Sequence, residues 1–163
     1  MHHNYRSGLV YHVYSMLKLA KQMVENYPAL NQDLLYSGIL IHDIGKTVEI
    51  TSDKTPSYSL EGNLLGHIVI GLTMLAEVVK ENGFEKTEEA IALEHMIAAH
   101  HGELEYGSPK EPMIAEAVAL YLIDLTDSKL TGITEIVSKT EKGTYTTPVP
   151  TLGRKALYVP KID

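Results

Sequence analysis

The stretch GILIHDIGKT, residues 38–47, carries an apolar segment into a glycine through a histidine and an aspartate set side by side. Asn31 is a good N-cap for a helix through QDLLYSGILIHD, and Gly45 suits its C-terminal stop, letting the chain turn away and leaving the pair open. The segment is apolar enough to be built for burial, yet it ends in His42 and Asp43. A carboxylate placed there without a partner costs several kcal/mol. The partner has to come from elsewhere in the chain.

Upstream, apolar residues recur at helical spacing from Leu9 to Tyr27, and Pro28 stops the segment. Downstream, residues 46–60 read as a loop, with a short hairpin around TVEIT. A third helix is expected from about Asn63 to Asn82, closed by Gly83. Thr87 caps a fourth, with Glu88 and Glu89 in the first turn where the helix dipole favours them, ending near His101 and Gly102. GELEYGSPKEP is a turn-rich connection. A fifth helix is expected from Met113 to about Lys129 and a short sixth around Ile133–Lys139, before a Pro- and Gly-containing tail. The pattern predicts an all-α bundle of five to six helices over residues 1–140, with residues 141–163 extended against it.

Histidines fall at the middles and ends of these helices. His12 is midway along the first, His42 and Asp43 close the second, His67 lies in the third, and His100 and His101 close the fourth. Asp124 sits in the fifth amid the apolar ALYLIDL. Each alone reads as a core residue satisfied by a neighbour. Together they have one economical explanation, a divalent cation. With no cysteine in the chain, a transition metal has to be held by His, Asp and Glu. The set expected for a first ion is His12, His42, Asp43 and Asp124. His67, His100 and His101, with Asp43 bridging, can hold a second ion about 3.5–4 Å away. Such nitrogen and oxygen donors accept Mn, Fe, Co, Ni or Zn. His95 falls on the opposite face of its helix from His100 and is left out.

The 163 residues are 44% hydrophobic and 21% charged, which suits one folded domain. No run of about 18 apolar residues suggests a membrane span, and neither cysteine nor a signal-peptide pattern points away from the cytoplasm. The net charge of −7 argues against a strong non-specific nucleic-acid binder but leaves a phosphate substrate open, because a bound metal reverses the local sign.

The ordered pattern H…HD…H…HH…D across five helices resembles the HD-domain superfamily of metal-dependent phosphohydrolases. HHNYRSGLVYHV, LIHDIGKTVEI, AHHGELEYGSPKEPMIAEAVALYLIDLTDSK and LGRKALYVP are similar to the C-terminal half of YhaM-type 3′–5′ exoribonucleases. Two positions depart from that pattern: Ser7 and Tyr121 stand where glycine and histidine are expected. The cyclic-dinucleotide branch of the superfamily shows a GYP motif after its histidine pair, absent from HHGELEYGSPKEP. The alarmone-hydrolase branch shows HDxxED, where this chain has Lys46 and Thr47.

The resemblance implies hydrolysis of a phosphodiester by a metal-activated water, with one or two divalent ions, Mn favoured. Its substrate would be single-stranded RNA, DNA or a nucleotide, and an OB-fold module present in the family is missing from this chain. Asp43 and Lys46 are the expected catalytic residues. Lys46, Tyr106 and His3 are the expected substrate contacts, Tyr106 and Tyr58 being able to stack on a base. Single-strand binders interleave aromatic and basic residues, and with no Trp and one Phe in this chain most RNA binding is expected of the missing module. Three other readings stay open: a nucleotide or cyclic-nucleotide phosphohydrolase, a di-iron oxygenase, and a non-catalytic metal-stabilised binding module. A homo-oligomer is compatible with all of them.

Overall fold

The computed structural model describes residues 8–51 and 57–162. Its helices are α1 (Gly8–Asn26), α2 (Gln32–Ile41), α3 (Lys46–Glu49), α4 (Leu60–Glu81), α5 (Glu88–Ala99) and α6 (Ala115–Ser138), with single 3₁₀ turns at Leu104–Tyr106 and Pro150–Leu152. Among the described residues there is no β-strand, only isolated antiparallel bridges. The all-α reading holds.

Local chemistry sets the helix starts. Asn31 Oδ1 accepts from the Leu34 amide at 3.0 Å, and Thr87 Oγ1 accepts from the Ala90 amide at 3.2 Å, as their cap positions require. The core is made by α1, α2, α5 and α6: Met16 and Ala20 meet Leu35 and Ile39, Met96, and Ala117, Leu120 and Ile123. α4 joins this body through α5 and through the short α3. It buries Ile68, Ile70 and Val79.

Four expectations need correction. Residues 46–49 are a helical turn rather than a loop, and the link that follows is closed by a bridge between Ile50 and Tyr58. Gly45 does not swing the chain away: its φ of −60° is right-handed helical, and it leads directly into α3. What it permits is contact. A Cβ at Gly45 would lie 2.0 Å from the His67 carbonyl oxygen, so only glycine lets α4 approach this closely. Third, α4 begins at Leu60, because Ser59 rather than a later residue caps it, its hydroxyl accepting from the Gly62 amide at 2.8 Å. Fourth, the expected break between Lys129 and Ile133 does not occur; α6 runs unbroken to Ser138. One interior glycine, Gly132, costs a helix about 1 kcal/mol, too little to end it when Ile133, Ile136 and Val137 beyond are half-buried.

α4 is also, by length and composition alone, the one described helix apolar enough to cross a membrane, although it holds no unbroken run of about 18 apolar residues. It packs on α3 and α5 and carries His67 into the domain. Gly66, at φ +73° and ψ 160°, kinks it immediately before that histidine.

Candidate metal centre

Two of the expected residues, His42 and His100, are the C-caps of α2 and α5. The carbonyls in the last turn of a helix lack some of their backbone donors, and each ring uses one. His42 Nδ1 donates to the Ile39 carbonyl at 2.8 Å, and His100 Nδ1 donates to the Ile97 carbonyl at 2.7 Å. His101 Nδ1 donates to the Tyr106 carbonyl at 2.8 Å. A carbonyl can only accept, so each Nδ1 bears the proton and each Nε2 of the neutral ring presents a lone pair.

Those lone pairs converge. His67, His100 and His101 each offer a ligand atom, and these atoms lie within 4.8 Å of one another; the same is true of His12, His42 and Asp124. Asp43 stands between the two groups. Its Oδ2 is 3.4 Å from His42 Nε2, while its Oδ1 is 3.5 Å from His67 Nε2 and 3.6 Å from His100 Nε2. These separations are long for hydrogen bonds. They match the roughly 3.4 Å expected between two atoms each about 2.1 Å from a shared tetrahedral ion.

Five buried side-chain nitrogen or oxygen atoms lack a hydrogen-bond partner among the described residues. Four are His42 Nε2, Asp43 Oδ1, His67 Nε2 and His100 Nε2, all in this cluster; the fifth is Thr151 Oγ1. Buried polar atoms are otherwise almost always paired. A divalent cation would satisfy all four, so the residues present fit such an ion.

The surroundings tune the donors. Burial opposes the charged form of His12, but hydrogen bonds to Asp124 and Asp127 overcome it and raise its pKa to about 9. Burial likewise opposes ionisation of Asp43, yet the close approach of His42, His100 and the Lys46 ammonium holds the carboxyl well below its usual range. His67 is lowered to about 4, chiefly by burial, with Lys46 and His100 adding to the effect. His101 is lowered by burial and by His100. For Asp124 burial is again outweighed, by His12 and His42, and its pKa falls.

Lys46, the first residue of α3, donates to Asp43 Oδ2 at 2.5 Å from a side chain 37% exposed. Tyr106 contributes its backbone carbonyl to His101, and its ring is exposed. Tyr58 is exposed as well, beside the Ile50 bridge. His3 and Ser7 lie outside the described residues. His95 faces away and accepts from the Met113 amide at 2.9 Å, pinning the loop ahead of α6. Tyr121 is half-buried with its ring against Gly102, where a Cβ would lie 2.3 Å from Tyr121 Cε2.

Three residues of the centre were missed by the sequence reading. Asp127 Oδ2 accepts from His12 Nδ1 at 2.7 Å, and its Oδ1 accepts from the Ser15 hydroxyl at 2.5 Å. Glu49 Oε1 accepts from the His67 amide at 3.1 Å and lies 3.5 Å from His67 Nδ1. Carboxylates of this kind orient ligating imidazoles and raise their basicity. A helical spacing of three was the available signal, since Asp127 follows Asp124 and Ser15 follows His12 at that interval.

Comparison with known proteins agrees with this geometry. The HD-domain family model matches residues 9–129. The chain is 44% identical over 159 residues to the 3′-5′ exoribonuclease YhaM of Bacillus subtilis (strain 168), covering 98% of this chain and 50% of that protein. It is 44% identical over 159 residues to the 3′-5′ exoribonuclease YhaM of Geobacillus sp. (strain WCH70), covering 98% and 49%. The chain thus spans about half the length of the curated relatives it matches. No solved structure matches it. With a histidine–aspartate pair at the end of α2, further histidines and an aspartate gathered around it, and a family match spanning α1 to most of α6, the chain belongs to the HD-domain family.

Proposed function

We propose that this chain is the catalytic domain of a metal-dependent 3′–5′ exoribonuclease acting on single-stranded RNA. The observation that carries the reading is the set of four buried, unpartnered donor atoms on His42, Asp43, His67 and His100. The similarity to YhaM exoribonucleases supports the choice of substrate.

His12, His42, Asp43 and Asp124 would hold one ion, and His67, His100, His101 and Asp43 the second. Manganese is the favoured metal for this nitrogen and oxygen set, and the cytoplasm the favoured compartment. When bound, divalent ions lower the pKa of water towards 7 and neutralise charge on phosphoryl oxygens. The protein's own part is orientation and charge. Asp43 bridges the two donor groups, and the Nδ1 hydrogen bonds fix each imidazole before substrate arrives. Lys46 holds a cation beside Asp43 from a partly exposed position. It is the side chain best placed to contact a substrate phosphate. The exposed rings of Tyr106 and Tyr58, and His3, are proposed contacts for the terminal nucleotide. In the longer relatives an OB-fold module would guide the strand.

The test is a 5′-labelled single-stranded RNA incubated with Mn²⁺. Stepwise shortening from the 3′ end, abolished by Asp43→Ala, is expected. A metal-loaded protein that cleaves neither RNA nor bis(p-nitrophenyl) phosphate would falsify the proposal. Hydrolysis confined to mononucleotides or cyclic nucleotides would replace RNA with those substrates.

A further inference from the structure

The charge of the chain is unevenly spread. Residues 141–163 hold four of its 14 basic residues and two of its 21 acidic ones, so this tail is +2 while the remainder is −9. The tail is folded. The Thr146 amide donates to the Leu157 carbonyl at 2.8 Å and the Val159 amide to the Thr144 carbonyl at 2.9 Å, joining two antiparallel legs. The 3₁₀ turn Pro150–Leu152 links them at the tip and packs on α6. Thr146, Val149 and Val159 are buried along the legs, while Tyr145 and Tyr158 are exposed.

These two tyrosines are bridge partners on adjacent legs, with ring centroids 5.3 Å apart. They are 70% and 52% exposed, so the pair is not there to fill the core. Arg154, Lys155 and Lys161 are exposed on the same hairpin, and none of the three pairs with a described carboxylate. Arg154 also holds a left-handed backbone, φ 62°, the one described residue other than glycine to do so. That conformation disfavours a side chain with a Cβ. Its persistence at a charged tip points to use of the side chain.

Exposed aromatic rings beside unpaired cations are what a single nucleic-acid strand requires, rings for base faces and cations for phosphates. We infer that the C-terminal hairpin, through Tyr145, Tyr158, Arg154 and Lys155, is a second contact surface for single-stranded RNA, separate from the metal centre. This rests on RNA being the substrate, as proposed above. A strand whose end lies among the metal ligands could then be held further along by a surface of opposite charge to the rest of the domain.

The experiment is binding of labelled oligouridylate to the whole chain in EDTA, so that no turnover intervenes, over a range of salt concentrations. With no tryptophan present, tyrosine emission reports stacking directly. Tyr145→Ala with Tyr158→Ala should weaken binding tenfold or more and remove most of the quenching, whereas Tyr145→Phe with Tyr158→Phe should keep the affinity. Because the tyrosine pair also ties the legs together, Arg154→Gly is the independent variant. It relieves the left-handed strain, so its melting temperature should hold or rise while affinity falls several-fold and the salt slope shallows. Unaltered binding in both the alanine pair and Arg154→Gly, or no binding by the unaltered chain, overturns the inference. Hydrolysis of bis(p-nitrophenyl) phosphate by the unaltered chain, measured beside it, tells that outcome from a failure of the metal-centre reading.

Discussion

His42 and His100 are counterparts on two helices: each is a C-cap, each donates from Nδ1 to the carbonyl three residues back, and their rings meet edge to face 5.1 Å apart. Both Nε2 atoms are buried without a partner, and Asp43 lies against both rings. Exchanging the Asp43 carboxylate for an amide keeps the shape and removes the charge. Asp43→Asn should therefore lower Mn²⁺-dependent phosphodiester hydrolysis by more than the 10–100-fold typical of groups that only support a ligand. Steady-state rates on bis(p-nitrophenyl) phosphate give the comparison, and a loss under tenfold would remove Asp43 from the centre.

Asp127 supplies that supporting comparison. It touches His12 through Nδ1 and lies on the far side of the ring from Asp124. Asp127→Asn is expected to weaken metal affinity by about 10–100-fold. Competition with a chromophoric chelator measures it. Affinity equal to the unaltered protein's would make Asp127 a purely structural partner of His12 and Ser15.

An ion that binds only the folded state must stabilise it. At a free concentration 100 times its Kd, one ion adds about 2.7 kcal/mol. For a domain of this size that raises the melting temperature by about 5–10 °C. Thermal unfolding with EDTA and then with Mn²⁺ reads the difference. An unchanged midpoint would remove the metal from the account altogether.

The His12 pKa of about 9 makes metal binding pH-dependent. The folded value is raised above the ordinary 6.5, so its stabilisation of the metal-free protein is complete below pH 6.5 and is lost as pH rises through 9. A metal must displace that proton from Nε2. His67, lowered to about 4, is already neutral at pH 7. Affinity at the His12 group should thus rise about tenfold per pH unit from 7 towards 9. Calorimetry in buffers of different ionisation enthalpy should count one proton released. For His67 the sign reverses: with its folded pKa below 6.5, the metal-free protein loses stability as pH falls from 6.5 to 4.

Gly45 and Gly66 shape the same ligand for different reasons. At Gly45 a Cβ would meet the His67 carbonyl oxygen at 2.0 Å and the Gly71 amide nitrogen at 2.8 Å, so Gly45→Ala forces α3 and α4 apart at a cost of about 3 kcal/mol. At Gly66 no atom lies within 4 Å of the Cβ position, and only its φ of +73° resists substitution. Gly66→Ala should cost about 2 kcal/mol, because φ +73° with ψ 160° is a region occupied almost only by glycine. Urea unfolding of the metal-free variants checks the order. A larger loss at Gly66 would contradict it.

Local sequence was enough for α1, α2 and α5, because caps such as Asn31 and Thr87 act within three residues and apolar periodicity acts within a few turns, but not for α3, the start of α4 or the unbroken run of α6. It was also enough to single out seven residues, His12, His42, Asp43, His67, His100, His101 and Asp124, whose chemistry has one shared explanation. It did not determine their company. Asp127 reaches His12 across 115 residues of chain, and Glu49 reaches His67 across 18. Tyr145 and Tyr158 become a pair only when the tail folds back on itself. Gly45, legible as a stop, proved to be the point where two backbones touch. Such contacts arise when α4, α6 and the tail dock, and no local propensity encodes which distant group will arrive there.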